Sequence, residues 1–156
     1  MSKNLVCYKR LPNWTAQTLP EPFRHKHNTR KDVWAKLTIL KGKLQFTELT
    51  ENNEIVKEHI FTPESSIPFV EPQAWHRVAP LSDDLECFLE FYCEPKNYFA
   101  NKYNINPAHS EVVEAIETIK PCKTLDLGSG QGRNSLFLSK LGFEVTAVDN
   151  NIPALE

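Results

Sequence analysis

The sequence lacks several features that would assign it to common functional classes. It has no apolar run approaching the roughly 20 residues that a membrane-spanning helix needs. Its net charge is only −2, so it carries no basic excess of the kind that binds nucleic acid or an anionic membrane surface. The first residues contain no apolar core of a signal peptide, and we therefore expect a cytoplasmic protein without nucleic-acid or membrane partners.

The cysteines also lack the spacing of a metal or redox motif. None of the four forms a C-x-x-C pair, and reduced thiols are the simplest interpretation. The chain contains 40% hydrophobic and 24% charged residues, as soluble globular proteins do. No internal repeat or low-complexity tract interrupts it. The four cysteines are Cys7, Cys87, Cys93 and Cys122.

The first 95 residues have a β-rich pattern. Residues 1–30 contain Pro12, Pro20 and Pro22, and we expect irregular or extended chain there. Beyond them, short apolar runs alternate with turn residues, and Lys41-Gly42 predicts a hairpin between the first two runs. Short strands separated by frequent turns indicate a β-sandwich or barrel. The predicted strands cover residues 33–40, 44–49, 55–61 and 85–93.

Three histidines in this region are candidate metal ligands. His25 and His27 form an H-x-H pair, and His76 follows a turn into a later run. The pattern resembles in part that of cupins, which implies a divalent metal held by His25, His27 and His76. Alanine stands where the cupin glutamate is expected, and Asp32 and Glu71 are the nearby carboxylates. The alternatives are histidines satisfied by hydrogen bonds, or a non-enzymatic module that binds a metal or small ligand.

A different pattern begins after a polar segment at residues 96–107, which we interpret as a linker. Residues 110–120 predict a helix, followed by a strand at 124–127, a G-x-G-x-G turn, a helix at 133–141 and a strand at 143–148. Asp149 ends that second strand, where a carboxylate suits the ribose hydroxyls of a nucleotide-like cofactor. Asp126 opposes a diphosphate and suits a ligand with an ammonium and a sulfonium, such as S-adenosylmethionine. The alternative is that the glycines only permit close packing of helix and strand.

Three segments of this region resemble the tellurite-resistance methyltransferases in the long form that carries an N-terminal cupin-like domain. The segments are 97–103, 109–112 and 125–136. The resemblance implies an S-adenosylmethionine-dependent enzyme with a Rossmann-like fold, acting on tellurite or selenite. Ser129 departs from the cysteine expected in many relatives. The chain stops at Glu156, before the later strands that build the substrate pocket, and the resemblance implies truncation.

The motif and the resemblance together predict the cofactor-binding residues. Asp126 and the backbone of Gly128, Ser129 and Gly130 would hold the amino-acid end of the cofactor, and Asp149 its ribose. Arg133 would bind an oxyanion substrate or the cofactor carboxylate, or remain a solvated arginine at a helix start. Two further candidates are Asn150, beside the adenine, and Tyr103, from an aromatic segment near the cofactor in the family.

We therefore predict a mainly β, cupin-like barrel or sandwich over residues 1–95, then an incomplete α/β Rossmann-like methyltransferase segment over 108–156. Its substrate is expected to be a small-molecule oxyanion. No catalytic residue is assigned, because the sulfonium is already an activated methyl donor and alignment supplies most of the catalysis. By itself the chain is expected to be inactive, and its residues do not indicate an oligomeric state.

Overall fold

A computed structural model of the chain describes residues 4–151 and divides it into two compact units. One comprises Cys7–Cys93, and the other comprises residues 1–6 together with 94–156. The first is built almost entirely of β-strands, and the second contains short helices and two strands. Within residues 4–151, no helix is long and apolar enough to cross a membrane. None of the four cysteines, all of which lie within these residues, forms a disulfide.

The first unit contains seven strands and one short helix. Its β4 and β5 have the predicted bounds, and β3 and β7 begin one residue later than predicted. Residues 4–30, within the segment predicted as irregular or extended, contain two short strands and, unlike the prediction, a short helix with Pro22 in its first turn. In chain order the elements are β1 (Val6–Arg10), β2 (Trp14–Thr15), α1 (Glu21–Arg24), β3 (Trp34–Lys41), β4 (Leu44–Leu49), β5 (Ile55–Phe61), β6 (His76–Pro80) and β7 (Glu86–Cys93).

These strands form two sheets with one core between them. In the first sheet β7 pairs with β1, β2 and β3, and in the second β4 lies between β5 and β6. The β3–β7 and β4–β5 ladders are antiparallel. Buried side chains from both sheets form one apolar cluster, which holds the sheets together. The cluster comprises Leu19, Leu37, Ile39, Leu44, Phe46, Ile67, Val78, Leu85 and Cys87.

Gly42 lies at a corner between the two sheets, and the predicted hairpin is wrong. β3 pairs with β7 and β4 pairs with β5 and β6, so the strands on either side of Gly42 lie in different sheets. Gly42 has a φ of +72°, and a Cβ there would lie 2.8 Å from the backbone Cα of Leu85. Only glycine fits this close approach, so the residue signals a tight corner rather than a hairpin.

Among its described residues, the second unit contains three short α-helices, a 3-10 helix at Pro95–Asn97 and two parallel strands. Its elements are α2 (Tyr98–Tyr103), α3 (Ser110–Ala115), β8 (Lys123–Leu127), α4 (Arg133–Lys140) and β9 (Glu144–Val148). The segment predicted as a linker thus contains a helix, α2. The helix predicted over 110–120 ends at Ala115, and Ile119, expected on its apolar face, is half exposed. The βαβ order of β8, α4 and β9 agrees with the sequence pattern.

α4 covers one side of the β8–β9 pair. Phe137, Leu138 and Phe143 form a buried cluster with apolar side chains of α3 and β9. On β8, by contrast, Leu127 is 73% exposed and Leu125 57% exposed. Parallel sheets are normally covered on both faces, so this pair lacks the covering that such strands usually have.

Candidate cofactor-binding site

The glycine loop turns across the C-terminal ends of both parallel strands. β8 and β9 pair in register from Lys123↔Glu144 to Leu127↔Val148. Directly after β8, the amides of Gly128 and Ser129 donate to the carbonyl of Val148 at 2.7 and 3.1 Å. The loop therefore lies at the edge of the sheet where open α/β folds bind their ligands.

The loop backbone is open on the side away from the strands. Gly128 and Gly130 have φ values of +68° and +53°, which glycine adopts at little cost. A Cβ built on either residue meets no other atom within 4 Å. The absence of side chains therefore leaves accessible backbone, and close packing alone does not explain these two glycines. Space of this kind lets a ligand approach the main chain.

Asp149 is held by two backbone amides. Gly130 N donates to Asp149 Oδ2 and Asn151 N donates to Asp149 Oδ1, each at 2.7 Å. These hydrogen bonds, that from Asn151 foremost, hold the pKa of the carboxyl below its usual value. A carboxylate offers about four acceptor positions, so two remain for further donors. These hydrogen bonds join the loop to the end of β9, and the Asp149 carboxylate can still accept from other donors.

Asp126 occupies a similar position on the neighbouring strand. Its Oδ2 accepts a hydrogen bond of 2.6 Å from the hydroxyl of Ser135, in the first turn of α4. The bond fixes the carboxylate beneath the glycine loop, and the second oxygen is left for another donor. Asp126 is thus the next-to-last residue of β8, and Asp149 directly follows β9 on the neighbouring strand.

Ser129 is the buried member of the loop. Its side chain is 8% exposed, and its hydroxyl is the one buried side-chain polar atom without a hydrogen-bond partner among residues 4–151. An unsatisfied buried hydroxyl costs about 1–3 kcal/mol. A thiol is less polar than a hydroxyl, which explains physically why cysteine suits this position.

Arg133 has local partners. Its guanidinium donates to Nε2 of His109 and, at 3.5 Å, to the carbonyl of Pro107. The side chain of Asn134 accepts from the backbone N of His109 at 2.9 Å. Two consecutive residues of α4 thus tie down the segment that leads into α3. No role for Asn134 was predicted from the sequence.

The two remaining cofactor candidates lie at the surface. Asn150 is exposed, directly after Asp149. Tyr103 is 53% exposed, and its ring stacks on Phe99 of the same helix with centroids 6.0 Å apart. The stacking contact between Tyr103 and Phe99 therefore lies within α2.

The three histidines do not form the predicted metal site. His25 points elsewhere, and its Nε2 is 2.9 Å from Glu21 Oε1. His27 and His76 do meet, with ring centroids 4.2 Å apart. Within residues 4–151 no group of three or more histidine, cysteine, aspartate or glutamate side chains is placed to hold a metal ion. Of the two substitute carboxylates, Glu71 accepts from the indole of Trp34 at 2.8 Å, and Asp32 lies in a turn.

One polar pair, on the sheet formed by β4, β5 and β6, was not predicted from the sequence. His59 Nε2 lies 2.7 Å from Glu48 Oε1, and both side chains line a cavity of about 510 Å³. The alternation of β4 carries a usable signal. Leu44 and Phe46 are buried, so Glu48 shares their inward face and is a charged residue at a core-facing position.

Comparison with known proteins identifies the family. A model described as TehB-like domain matches residues 9–89, and a model described as tellurite resistance protein TehB matches residues 91–156. The chain belongs to the TehB-like family. The predicted resemblance is thereby confirmed.

Individual relatives agree with the family assignment. The chain is 62% identical over 151 residues to the probable S-adenosyl-L-methionine-dependent methyltransferase TehB of two Haemophilus influenzae strains, covering 97% of this chain and 53% of that protein. The crystal structure of TehB from Haemophilus influenzae superposes with a TM-score of 0.93 at 60% identity, over 99% of this chain and 54% of that one. Hemagglutinin 1 of Eikenella corrodens is 48% identical over 108 residues, 69% of this chain and 36% of that protein. The chain spans about half the length of the TehB relatives.

Proposed function

We propose that this TehB-like chain provides the β domain and the first cofactor-binding elements of an S-adenosylmethionine-dependent methyltransferase that acts on tellurite or selenite. The β domain, residues 1–95, is cupin-like. Residues 96–107 connect it to the N-terminal part of a Rossmann-like methyltransferase domain, residues 108–156. Two β-sheets around one core and a parallel βαβ unit support these assignments.

The glycine loop and Asp149 carry the proposal. Open main chain at Gly128 and Gly130 lies beside an ionised carboxylate that has acceptor positions to spare. These acceptors fit a ligand with ribose hydroxyls and a positively charged amino-acid end. A diphosphate fits poorly, because the carboxylate of Asp126 lies near the end of the neighbouring strand.

Each loop residue has a defined part in binding. Asp149 accepts from the ribose hydroxyls, Asp126 accepts from the ammonium, and the accessible main chain of Gly128, Ser129 and Gly130 packs against the amino-acid end. When bound, S-adenosylmethionine supplies a methyl group already activated by its sulfonium. The chain's own contribution is to hold and orient that group.

The methyl acceptor, tellurite or selenite, is proposed from the family description and from one positively charged side chain, that of Arg133. The model that matches residues 91–156 is described as a tellurite resistance protein. Arg133 begins α4, where the backbone amides and the guanidinium both favour an anion. His109, which contacts that guanidinium, is the second group at this position.

The activity is tested in an extended protein, because relatives of the chain are about twice as long. Residues 1–156 are joined to the C-terminal half of Haemophilus influenzae TehB, and methyl transfer to tellurite is measured with labelled S-adenosylmethionine. Asp149→Ala should weaken cofactor binding by about 2–3 kcal/mol, because it removes a charged acceptor. The matched control is Asp83→Ala, an exposed aspartate of the β unit. Equal affinity in both variants would reject the ribose role.

A further inference from the structure

The β unit contains a cavity that the methyltransferase proposal does not use. It lies between the inward face of β4, β5 and β6 and the segment 66–75, and its volume is about 510 Å³. Small-molecule sites in proteins commonly measure about 300–1,000 Å³. The walls are mostly apolar and aromatic, with four ionisable side chains among them. The lining residues are Phe46, Glu48, His59, Phe61, Ser66, Ile67, Pro68, Phe69, Val70, Glu71, Ala74, Trp75 and His76.

The sheet side of the cavity is a layer of packed rings. Phe46 stacks on His76 with centroids 4.9 Å apart, and His59 stacks on Phe61 at 5.5 Å. The antiparallel register places Phe46 opposite His59, which joins the two stacks. Packed side chains of this kind have few alternative rotamers, so the surface is pre-formed for an apolar body.

The polar groups on this side offer acceptors. His59 Nε2 donates to Glu48 Oε1, since a carboxylate can only accept, and this leaves Glu48 Oε2 for another donor. His76 Nδ1 donates to the carbonyl of Ala74 at 2.8 Å, so its Nε2 carries the lone pair. Glu48 and His76 are register partners on β4 and β6, so these two acceptors are neighbours.

The side chains of permanent charge that line the cavity are acidic. Glu48 and Glu71 are both in the lining, and no lysine or arginine lines the cavity among the residues that the structure describes. Two lysines contact rings that line the cavity, and the ammonium group of each has its own backbone acceptor. Lys26 lies 4.4 Å from the ring of Trp75 and donates to the carbonyl of Glu51. Lys36 lies 5.3 Å from the ring of Phe69 and donates to the carbonyl of Ile67.

We propose that this cavity binds a small organic cation. In such a ligand an ammonium group is attached to an apolar part about the size of one aromatic ring. The ammonium would donate to Glu48 Oε2 and His76 Nε2, and the apolar part would pack on the rings of Phe46 and Trp75. Aromatic faces and carboxylates together favour cations and disfavour anions. The site is therefore unsuited to the oxyanion substrate, and it lies in the other unit of the chain.

A pair of probes that differ in charge tests the assignment. The 156-residue chain is titrated with 2-phenylethylammonium and with 3-phenylpropionate, and binding is followed by amide chemical shifts. We expect saturable binding of the cation at millimolar concentrations, with shifts at Phe46, Glu48 and Trp75. Binding of the anion should be at least about tenfold weaker, because it places a carboxylate beside Glu48.

Two variants show whether Glu48 is responsible. Glu48→Gln keeps an oxygen for His59 and removes the charge, so cation affinity should fall about tenfold. Glu58→Gln is the matched control on the opposite face of the same sheet and should leave the affinity unchanged. If Glu48→Gln does not fold, Glu71→Gln at the exposed side of the cavity is the substitute. Equal binding of both probes, no saturable binding of the cation, or unchanged affinity in the folded glutamine variant would overturn the proposal.

Discussion

The paired histidines of the β unit should make its stability depend on pH. His76 is 6% exposed and lies against His27, and burial, followed by the nearby His27, lowers its pKa from 6.5 to about 4. The pKa of His27 is lowered as well, also chiefly by burial. In the unfolded chain these imidazoles take up protons below about pH 6.5, whereas in the folded chain His76 stays neutral until about pH 4.

The sign and size of the effect follow from this difference. Between pH 6.5 and about 4 the unfolded state binds more protons, so the free energy of unfolding falls as the pH falls. A gap of about 2.5 pKa units corresponds to a loss of about 3 kcal/mol from His76 alone. His27 changes stability in the same direction. Replacing His76 with a residue that does not titrate should remove most of this dependence, whatever it costs at neutral pH.

Tryptophan fluorescence provides the assay. The chain has three tryptophans, Trp14, Trp34 and Trp75, and all lie within Cys7–Cys93, so urea unfolding followed by fluorescence reports on this unit. Unfolding free energies of the unaltered chain and of His76→Gln are compared from pH 7.5 to 4.5. His25→Gln is the control for removing an imidazole outside the pair. Equal pH dependence in the unaltered chain and in His76→Gln would show that His76 is not the source of the effect.

Two other substitutions test local features of the two units. Gly42→Ala should destabilise the β unit by about 3 kcal/mol in the same urea assay, because φ is +72° and the new Cβ meets backbone 2.8 Å away; a loss below 1 kcal/mol would contradict this. Ser129→Cys should stabilise the second unit by about 1 kcal/mol, because it removes a buried hydroxyl without a partner. Amide exchange in α4 measures it, with the exposed Ser139→Cys as control, and faster exchange in Ser129→Cys would contradict it.

Local patterns predicted the strands better than their pairing. The bounds of β4 and β5 were readable because turn residues separate the short apolar runs that form them. The choice of partner for β3 depends on contacts about 50 residues away in β7. Lys41-Gly42 indicates a sharp change of direction, and that signal is the same for a hairpin and for a corner between sheets.

In the candidate site, too, features set by nearby residues were predictable, and contacts set by the fold were not. Asp126, the glycines and Asp149 lie within 24 residues of each other, and the motif predicted that they belong to one site. The hydrogen bond from Gly130 N to Asp149 was not predictable, because it depends on how the loop crosses β9. His25 could not be separated from His27 by sequence, since the short helix that turns His25 towards Glu21 lies in a segment read as irregular.

We expect the loop at 128–130 and Asp149 to bind S-adenosylmethionine only within a more complete domain. The most direct test is equilibrium dialysis with labelled S-adenosylmethionine, with the 156-residue chain and the protein extended by the C-terminal half of Haemophilus influenzae TehB measured side by side. The extended protein should bind the cofactor at micromolar concentrations. The 156-residue chain should show no appreciable binding, because Leu125 and Leu127 are exposed and β8 and β9 lack further strands. Micromolar binding by the 156-residue chain, or none by the extended protein, would contradict this expectation.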